Sequence, residues 1–246
     1  MHKKLDRQPF VDAYLIHKKP YLEKKVMAYL FTETHGLVAT MTHWSTAKKN
    51  HLSVFSLLAC QLLVKPNISQ LKKVEIKTFH PPLQGTHLFG GLYINELIYR
   101  FCETNQAHPE LYYLYAQTIQ ALTHKEPLDQ TIRLFEFRLQ ELLGYGLNFE
   151  CLSETNCDWF YFEPERGLLP SLSSQKRLIH RHQLEKMFEQ QFDDPHTQAA
   201  SKKVFAILAK HLLGQNHLFI KKILPKSTKS KSSRKNVQDI QTNIPA

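Results

Sequence analysis

Glycine is scarce in this chain: its 246 residues include only eight. A protein that cradles nucleotide phosphates in a glycine-rich loop needs a clustered glycine motif, and none is present. The Gly-x-Ser-x-Gly and His-Glu-x-x-His motifs of common hydrolases are also missing. No apolar run approaches the roughly 20 residues that a membrane-spanning helix requires. These absences disfavour enzymes of those classes and an integral membrane protein, and no cofactor is predicted.

Cysteine is scarcer still. The chain has four cysteines and no Cys-x-x-Cys pair among them: Cys60, Cys102, Cys151 and Cys157. A structural zinc site usually takes two close pairs of ligands, because four ligands must converge on one ion. His180 and His182 would have to complete a site with Cys151 and Cys157, and two residues are a tight spacing for a zinc-binding pair. The pattern therefore favours reduced, partly buried thiols and no metal.

A secretion signal is not apparent either. The basic start, Met1-His-Lys-Lys-Leu-Asp-Arg7, is not followed by an uninterrupted apolar core and a small-residue cleavage site. We therefore expect a cytoplasmic protein.

Charge is unevenly distributed along the chain. Residues 1–80 carry thirteen Lys and Arg against five Asp and Glu, and residues 201–246 carry ten against one. Residues 81–200 carry nine against sixteen, so an acidic middle separates two basic ends within a net charge of +10. A continuous positive surface attracts a polyanion by releasing its condensed counterions. Nucleic acid is the leading partner class, and an anionic membrane is second.

The first eighty residues predict short strands, because β-branched, aromatic or alternating apolar residues fill runs that are separated by turn signals. Five such runs occur: Val11–His17, Lys25–Phe31, Leu37–Thr42, Ser56–Val64 and Leu71–Phe79. Five strands in about seventy residues suit a closed barrel of the OB type, and an SH3-like barrel fits the pattern almost as well.

Beyond Pro81-Pro82 the apolar period becomes that of helices. The predicted helices are Leu88–Phe101, Leu111–Leu122, Leu128–Leu143, Leu178–Gln190, Lys202–Leu213 and a short basic one at Leu218–Leu224. Residues 150–170 read as irregular and acidic. The chain is thus predicted to be an α+β protein with an OB-type barrel over residues 1–80, a helical domain over 81–224 and a flexible basic tail over 225–246.

Basic pairs near probable loops make the first candidate DNA-binding group. An OB barrel commonly holds a single strand with its loops and one face, and aromatic rings stack on the bases. The candidates are Lys18, Lys19, Lys24, Lys25, Lys48 and Lys49. Trp44 is the favoured stacking residue, ahead of Tyr14, Tyr21, Tyr29 and Phe31. A second basic group contributes Lys210, Lys221 and Lys222 as further candidates for phosphate contact.

Three stretches in the middle of the chain are more specific. They are Gly91-Leu-Tyr-Ile-Asn-Glu-Leu-Ile-Tyr-Arg100, Arg133-Leu-Phe-Glu136 and Leu143-Gly-Tyr-Gly-Leu-Asn-Phe149. Together with Ala13–His17 and Phe31–Gly36 they resemble the RecO family in order and separation, over residues 9 to 224. The resemblance implies an OB domain packed on a helical domain. It also implies a recombination mediator of DNA repair that binds single- and double-stranded DNA, anneals complementary strands and acts at the nucleoid.

The resemblance further implies partners. Members of the family act with RecR to move single-strand-binding protein aside, so that RecA can load. They dock the acidic C-terminal tail of single-strand-binding protein in a pocket of the helical domain, where Arg133 matches a basic position. Lys202 and Lys203 are weaker candidates for the same contact. The chain departs from the family at Thr42-His-Trp-Ser45, where many relatives are basic, and it lacks the four-cysteine zinc knuckle that some relatives carry.

Two other functions compete with a DNA-binding mediator. A non-enzymatic adaptor would bind protein partners without direct DNA contact, its basic ends serving solubility. An enzyme acting on nucleic acid would need a metal, and the only suspect acidic cluster is Glu154, Asp158, Glu163 and Glu165.

Overall fold

The computed structural model describes residues 9–22, 25–43, 54–78, 80–171, 178–214 and 218. The chain divides into two compact units, residues 1–123 with 218–246 and residues 124–217. The first unit begins with a closed barrel of five strands, which confirms the predicted architecture: β1 (Phe10–Leu22), β2 (Lys25–Thr32), β3 (Gly36–His43), β4 (Leu57–Leu63) and β5 (Ser69–Thr78).

The barrel closes through one parallel pairing. Its strand order is β1-β2-β3-β5-β4, and β4 pairs with β1 to complete the circle. All neighbours are antiparallel except β3 and β5, which pair in parallel at Thr40 with Ser69 and Met41 with Gln70. Small and aliphatic side chains fill the interior: Ala13, Leu15, Ala28, Leu30, Leu58, Cys60, Leu62 and Leu71. A closed barrel removes the exposed strand edges on which other chains would pair.

Two helices, α1 (Gly85–Phe101) and α2 (Pro109–Thr123), belong to the same unit as the barrel. Successive side chains of a strand point to opposite faces. In β1, Ala13 and Leu15 face the barrel interior, whereas Tyr14 lies against Tyr115 of α2 with ring centroids 5.0 Å apart. Because β1 is buried on both faces, the barrel and these two helices form one compact unit. The domain boundary near residue 80 stays a prediction.

The second unit holds α3 (Leu128–Leu142), α4 (Cys151–Glu154), α5 (Arg181–Phe188), α6 (Pro195–Leu213) and a small sheet. The sheet has the order β7-β6-β8, with β6 at Trp159–Glu163, β7 at Gly167–Pro170 and β8 at Ile179–His180. The interpretation of residues 150–170 as irregular was therefore wrong. Phe160 and Phe162 alternate inward while Trp159 is exposed, and this period of two is that of a strand. The predicted helix at residues 218–224 lies outside the described residues, apart from Leu218.

The turn between β2 and β3 sits against the connection between α1 and α2. The amide of Asn105 donates to the carbonyl oxygen of Leu37 at 2.8 Å, and the Asn105 side chain donates to the carbonyl oxygen of Pro66 at 2.9 Å. Gly36 has a φ of +64°, and a Cβ built on it would lie 1.7 Å from the carbonyl oxygen of Gln106. Only glycine fits there without moving one backbone away from the other.

Replacing Gly36 tests this close approach. Gly36→Ala should lower the free energy of unfolding by about 2–5 kcal/mol, because a left-handed backbone and an overpacked contact are both imposed. Gly85→Ala is the matched control, since Gly85 has a φ of +54° in the same unit and open space around its Cα. It should lose only about 1 kcal/mol. Urea unfolding of both variants gives the comparison, and equal losses would contradict the account.

Candidate nucleic-acid interface

Three of the predicted lysines gather at one end of the β1–β2 pair. In the strand register Lys18 lies opposite Ala28, Lys19 opposite Met27, and Lys25 opposite Leu22. Lys18 is half-buried, and burial lowers the pKa of its amine. Lys19 and Lys25 are also partly exposed. Lys18 and Lys19 are successive residues of β1 and so point to opposite faces, whereas Lys25 lies two residue pairs beyond Lys19 in the same hairpin. We call Lys18, Lys19 and Lys25 the hairpin lysines.

Arg100 adds a cation near the hairpin lysines that the residue patterns did not single out. It stands in the last turn of α1, and together with Lys19 it acts electrostatically on the buried His17 of β1. The pKa of His17 is lowered to about 4, mainly by burial and to a smaller extent by the two cations. His17 is therefore neutral at physiological pH, and Lys19 and Arg100 carry the positive charge around it. The signal for Arg100 was its place at the end of the first signature stretch.

The aromatic candidates divide by exposure. Phe31 and Tyr14 are buried against Tyr112 and Tyr115 of α2, and they belong to the core. Tyr29 packs on Tyr99, with ring centroids 4.8 Å apart. Tyr21 is 49% exposed and follows Lys19 by two residues on β1. Of the four described rings, Tyr21 is the one open to a nucleic-acid base.

Several predicted residues lie outside the part of the chain that the structure describes. They are Lys24, Trp44, Lys48, Lys49, Lys221 and Lys222. Their roles in DNA contact stay predictions.

Strand β5 carries lysines that the candidate list left out. Lys72 and Lys73 are exposed, and Lys77 forms an ion pair with Asp12 of β1 at 2.7 Å. Lys72 and Lys73 formed a basic pair in a predicted strand, whereas Lys18 and Lys19 were preferred because a loop was expected there. That expectation was wrong, since Lys18 and Lys19 lie within strand β1. The barrel therefore presents positive charge on β5 as well as on the β1–β2 hairpin.

Helix α6 of the second unit has a basic exposed side. Lys202, Lys203 and Lys210 are exposed, and the helix from Pro195 to Leu213 contains no acidic residue. Asp194 caps its start by accepting hydrogen bonds from the backbone amides of His196 and Thr197. Lys210 also suits the negative end of the helix dipole. These lysines stand where an anionic partner has access to them.

Arg133 is placed differently from the expectation. It was expected at the rim of a surface pocket, but it is only 6% exposed and its guanidinium pairs with the carboxylate of Glu136, which is 0% exposed. The two residues lie one turn apart on α3, so both charges enter the interior together. Arg138, paired with Glu141 at 3.2 Å on the same helix, remains partly exposed. Arg133 therefore neutralises an internal carboxylate and does not present a free guanidinium at the surface.

The residues that were weighed as zinc ligands have other contacts. Arg181 donates from its guanidinium to the carbonyl oxygens of Leu152, Thr155 and Cys157, and so holds the segment that carries Cys157. His180 caps α5, its Nδ1 accepting from the amide of His182 at 3.2 Å. Within residues 9–22, 25–43, 54–78, 80–171, 178–214 and 218, no three His, Cys, Asp or Glu side chains converge as metal ligands. The suspected acidic residues Glu154, Asp158, Glu163 and Glu165 lie within these ranges and form no such group. Glu163 pairs with Arg166 at 3.4 Å.

The comparisons with known proteins agree on one family. A family model with the description "Recombination protein O C terminal" matches residues 83–217, more than half of the chain. The DNA repair protein RecO of Pasteurella multocida (strain Pm70) is 32% identical over 217 residues, covering 84% of this chain and 90% of that protein. The chain belongs to the RecO family.

Other RecO proteins match to a similar extent. RecO of Haemophilus influenzae (strain PittGG) is 29% identical over 84% of this chain and 91% of its own length. RecO of Serratia proteamaculans (strain 568) is 30% identical over 82% and 87%. Membership of the RecO family supports a role in DNA repair and recombination. Among the described helices none is long and apolar enough to cross a membrane.

The buried pair gives a stability prediction. Arg133→Met should lower the free energy of unfolding by about 3–5 kcal/mol, because it leaves the Glu136 carboxylate buried without its countercharge. Arg138→Met is the matched control on the same helix and should change stability by about 0–1 kcal/mol, since its pair is partly exposed. Denaturant unfolding measures both. If Arg133→Met keeps full stability and only weakens binding of an acidic peptide, the internal role is wrong.

Proposed function

We propose that this RecO-family protein is a non-enzymatic recombination mediator that binds DNA through its barrel and anneals complementary single strands. The observation that carries the proposal is the set of hairpin lysines, with Arg100 and the exposed Tyr21 beside them, on a closed five-stranded barrel. Cationic groups along a barrel surface follow a phosphate backbone without reading sequence, and an aromatic ring stacks on any base.

Annealing follows from the same charges. Two complementary strands repel each other through their phosphates. Lysine and arginine side chains that neutralise phosphates on both strands reduce that repulsion, and base pairing then supplies the driving force. No bond is made or broken in the protein, so the proposed work is binding and positioning alone. The same contacts apply to single- and double-stranded DNA, because the phosphate backbone is common to both.

The proposed partners extend this role. With RecR, the protein helps to displace single-strand-binding protein so that RecA can load, in the cytoplasm and at the nucleoid. Lys202 and Lys203 on the basic side of α6 are the contacts we assign to the acidic tail of single-strand-binding protein, because both are exposed. Arg133 is not assigned to the tail, since its charge is paired in the interior. Lys210 remains a candidate for DNA contact.

Salt dependence tests the electrostatic part of the proposal. If about six phosphates are contacted, the log of the affinity for a single strand should fall with the log of the salt concentration at a slope of roughly −4. The double variant Lys19→Gln/Lys25→Gln removes two contacts, so the slope should become about −3 and affinity at ~0.1 M salt should drop roughly tenfold. Fluorescence anisotropy of a labelled oligonucleotide over a salt series gives both quantities.

Lys125→Gln is the control for charge alone, because Lys125 is exposed in the acidic middle of the chain between α2 and α3. It should leave slope and affinity unchanged. A slope near zero in the parent protein, or equal effects of the control and the double variant, would refute the proposed interface and favour the adaptor function.

A further inference from the structure

An apolar cleft opens in the second unit, between residues 147–153 and α5. Its volume is about 470 Å³. Leu147, Phe149, Leu152 and Phe188 form its apolar lining. Most of the exposed lining is therefore hydrocarbon, which is the usual composition of a site that receives an apolar side chain.

Phe188 is a large apolar residue of the cleft that is open to water. It is 64% exposed at the end of α5, although its ring lies 5.4 Å from that of Phe149 in an edge-on arrangement. Phe149 in turn approaches the buried Phe137 at 6.3 Å. The row of three rings thus runs from the core of the unit to the surface, and its outer member would lose water contact if another apolar group covered it.

The rim of the cleft is acidic. Glu150, Glu185 and Glu189 line it, and among the residues that the structure describes no lysine or arginine does. Lys186, the one lysine on α5, points its amine to Asp194 at 3.6 Å. The carboxylate of Glu185 lies 3.9 Å from the ring nitrogen of His182, and Glu150 accepts a hydrogen bond from Asn148 at 2.9 Å.

We propose that this cleft binds a partner protein segment in which a large apolar side chain is flanked by lysine or arginine. The apolar side chain would pack against Phe149 and Phe188 in the cleft, and the flanking cations would meet the three rim glutamates. Charge complementarity decides the occupant: an acidic segment would meet three like charges, whereas a basic one meets three opposite charges. This surface is separate from the lysines that we assign to DNA and to the acidic tail, so it adds a partner of opposite charge.

Two labelled hexapeptides distinguish a basic partner segment from an acidic one. Each has a central phenylalanine and leucine, flanked on both sides by two lysines in one peptide and by two glutamates in the other. Fluorescence anisotropy with the full chain should show binding of the lysine peptide at submillimolar concentration and at least tenfold weaker binding of the glutamate peptide.

Variants then locate the binding. Phe188→Ala should weaken the lysine peptide about tenfold, and Glu185→Gln/Glu189→Gln about three- to tenfold. Phe10→Ala is the matched control, because Phe10 is 46% exposed on the barrel and should have no effect. Thermal unfolding checks that each variant is folded. Failure of the lysine peptide to bind below 1 mM, tighter binding of the glutamate peptide, or insensitivity to both cleft variants would each overturn the proposal.

Discussion

A buried carboxamide ties the barrel to its helices. Asn95, in the first signature stretch, donates from its side chain to the carbonyl oxygens of Ile16 at 3.0 Å and Leu15 at 3.5 Å, and accepts from the Tyr115 hydroxyl at 2.7 Å. The register of β1 against β2 shifts between Leu15 and His17, so these carbonyls lie where the ladder is irregular. A buried polar group without a partner costs free energy, and Asn95 supplies partners on β1 and α2 at once.

The positions of the proposed interface residues follow from that constraint. Because α1 is fixed on β1 through Asn95, Arg100 at the end of α1 is brought near His17 and Lys19 of the same strand. The hairpin lysines then continue the positive charge along β1 and β2. The barrel alone would provide lysines; the helix adds a guanidinium, which is always charged and spreads its donors in a plane.

The second unit differs from the first in where its charged groups lie. It buries one ion pair, Arg133 with Glu136, and leaves acidic groups at the rim of an apolar cleft. Helix α6 contributes three exposed lysines and contains no acidic residue. The second unit therefore has surfaces that suit partners of opposite charge, a basic side of α6 and an acidic rim around the apolar cleft.

Much of the fold was predictable from the sequence because its signals are local. Alternating apolar residues marked the five barrel strands, and the apolar period of α3 marked that helix. The alternation in Trp159–Phe162 was equally visible, but the surrounding acidic residues obscured it. Burial of Arg133 could not be predicted, because the apolar stripe of α3 marks a narrower face than the one that is buried, which also includes Arg133, Glu136 and Gln140. The exposure of Tyr21 likewise depends on which residues the helices cover.

The central claim is that this protein brings complementary strands together. The most direct test is the annealing rate of two complementary oligonucleotides coated with cognate single-strand-binding protein, with and without this protein, in the absence of ATP and added metal. The account predicts strong acceleration that falls as salt is raised. No acceleration despite tight binding to the coated strands would contradict it.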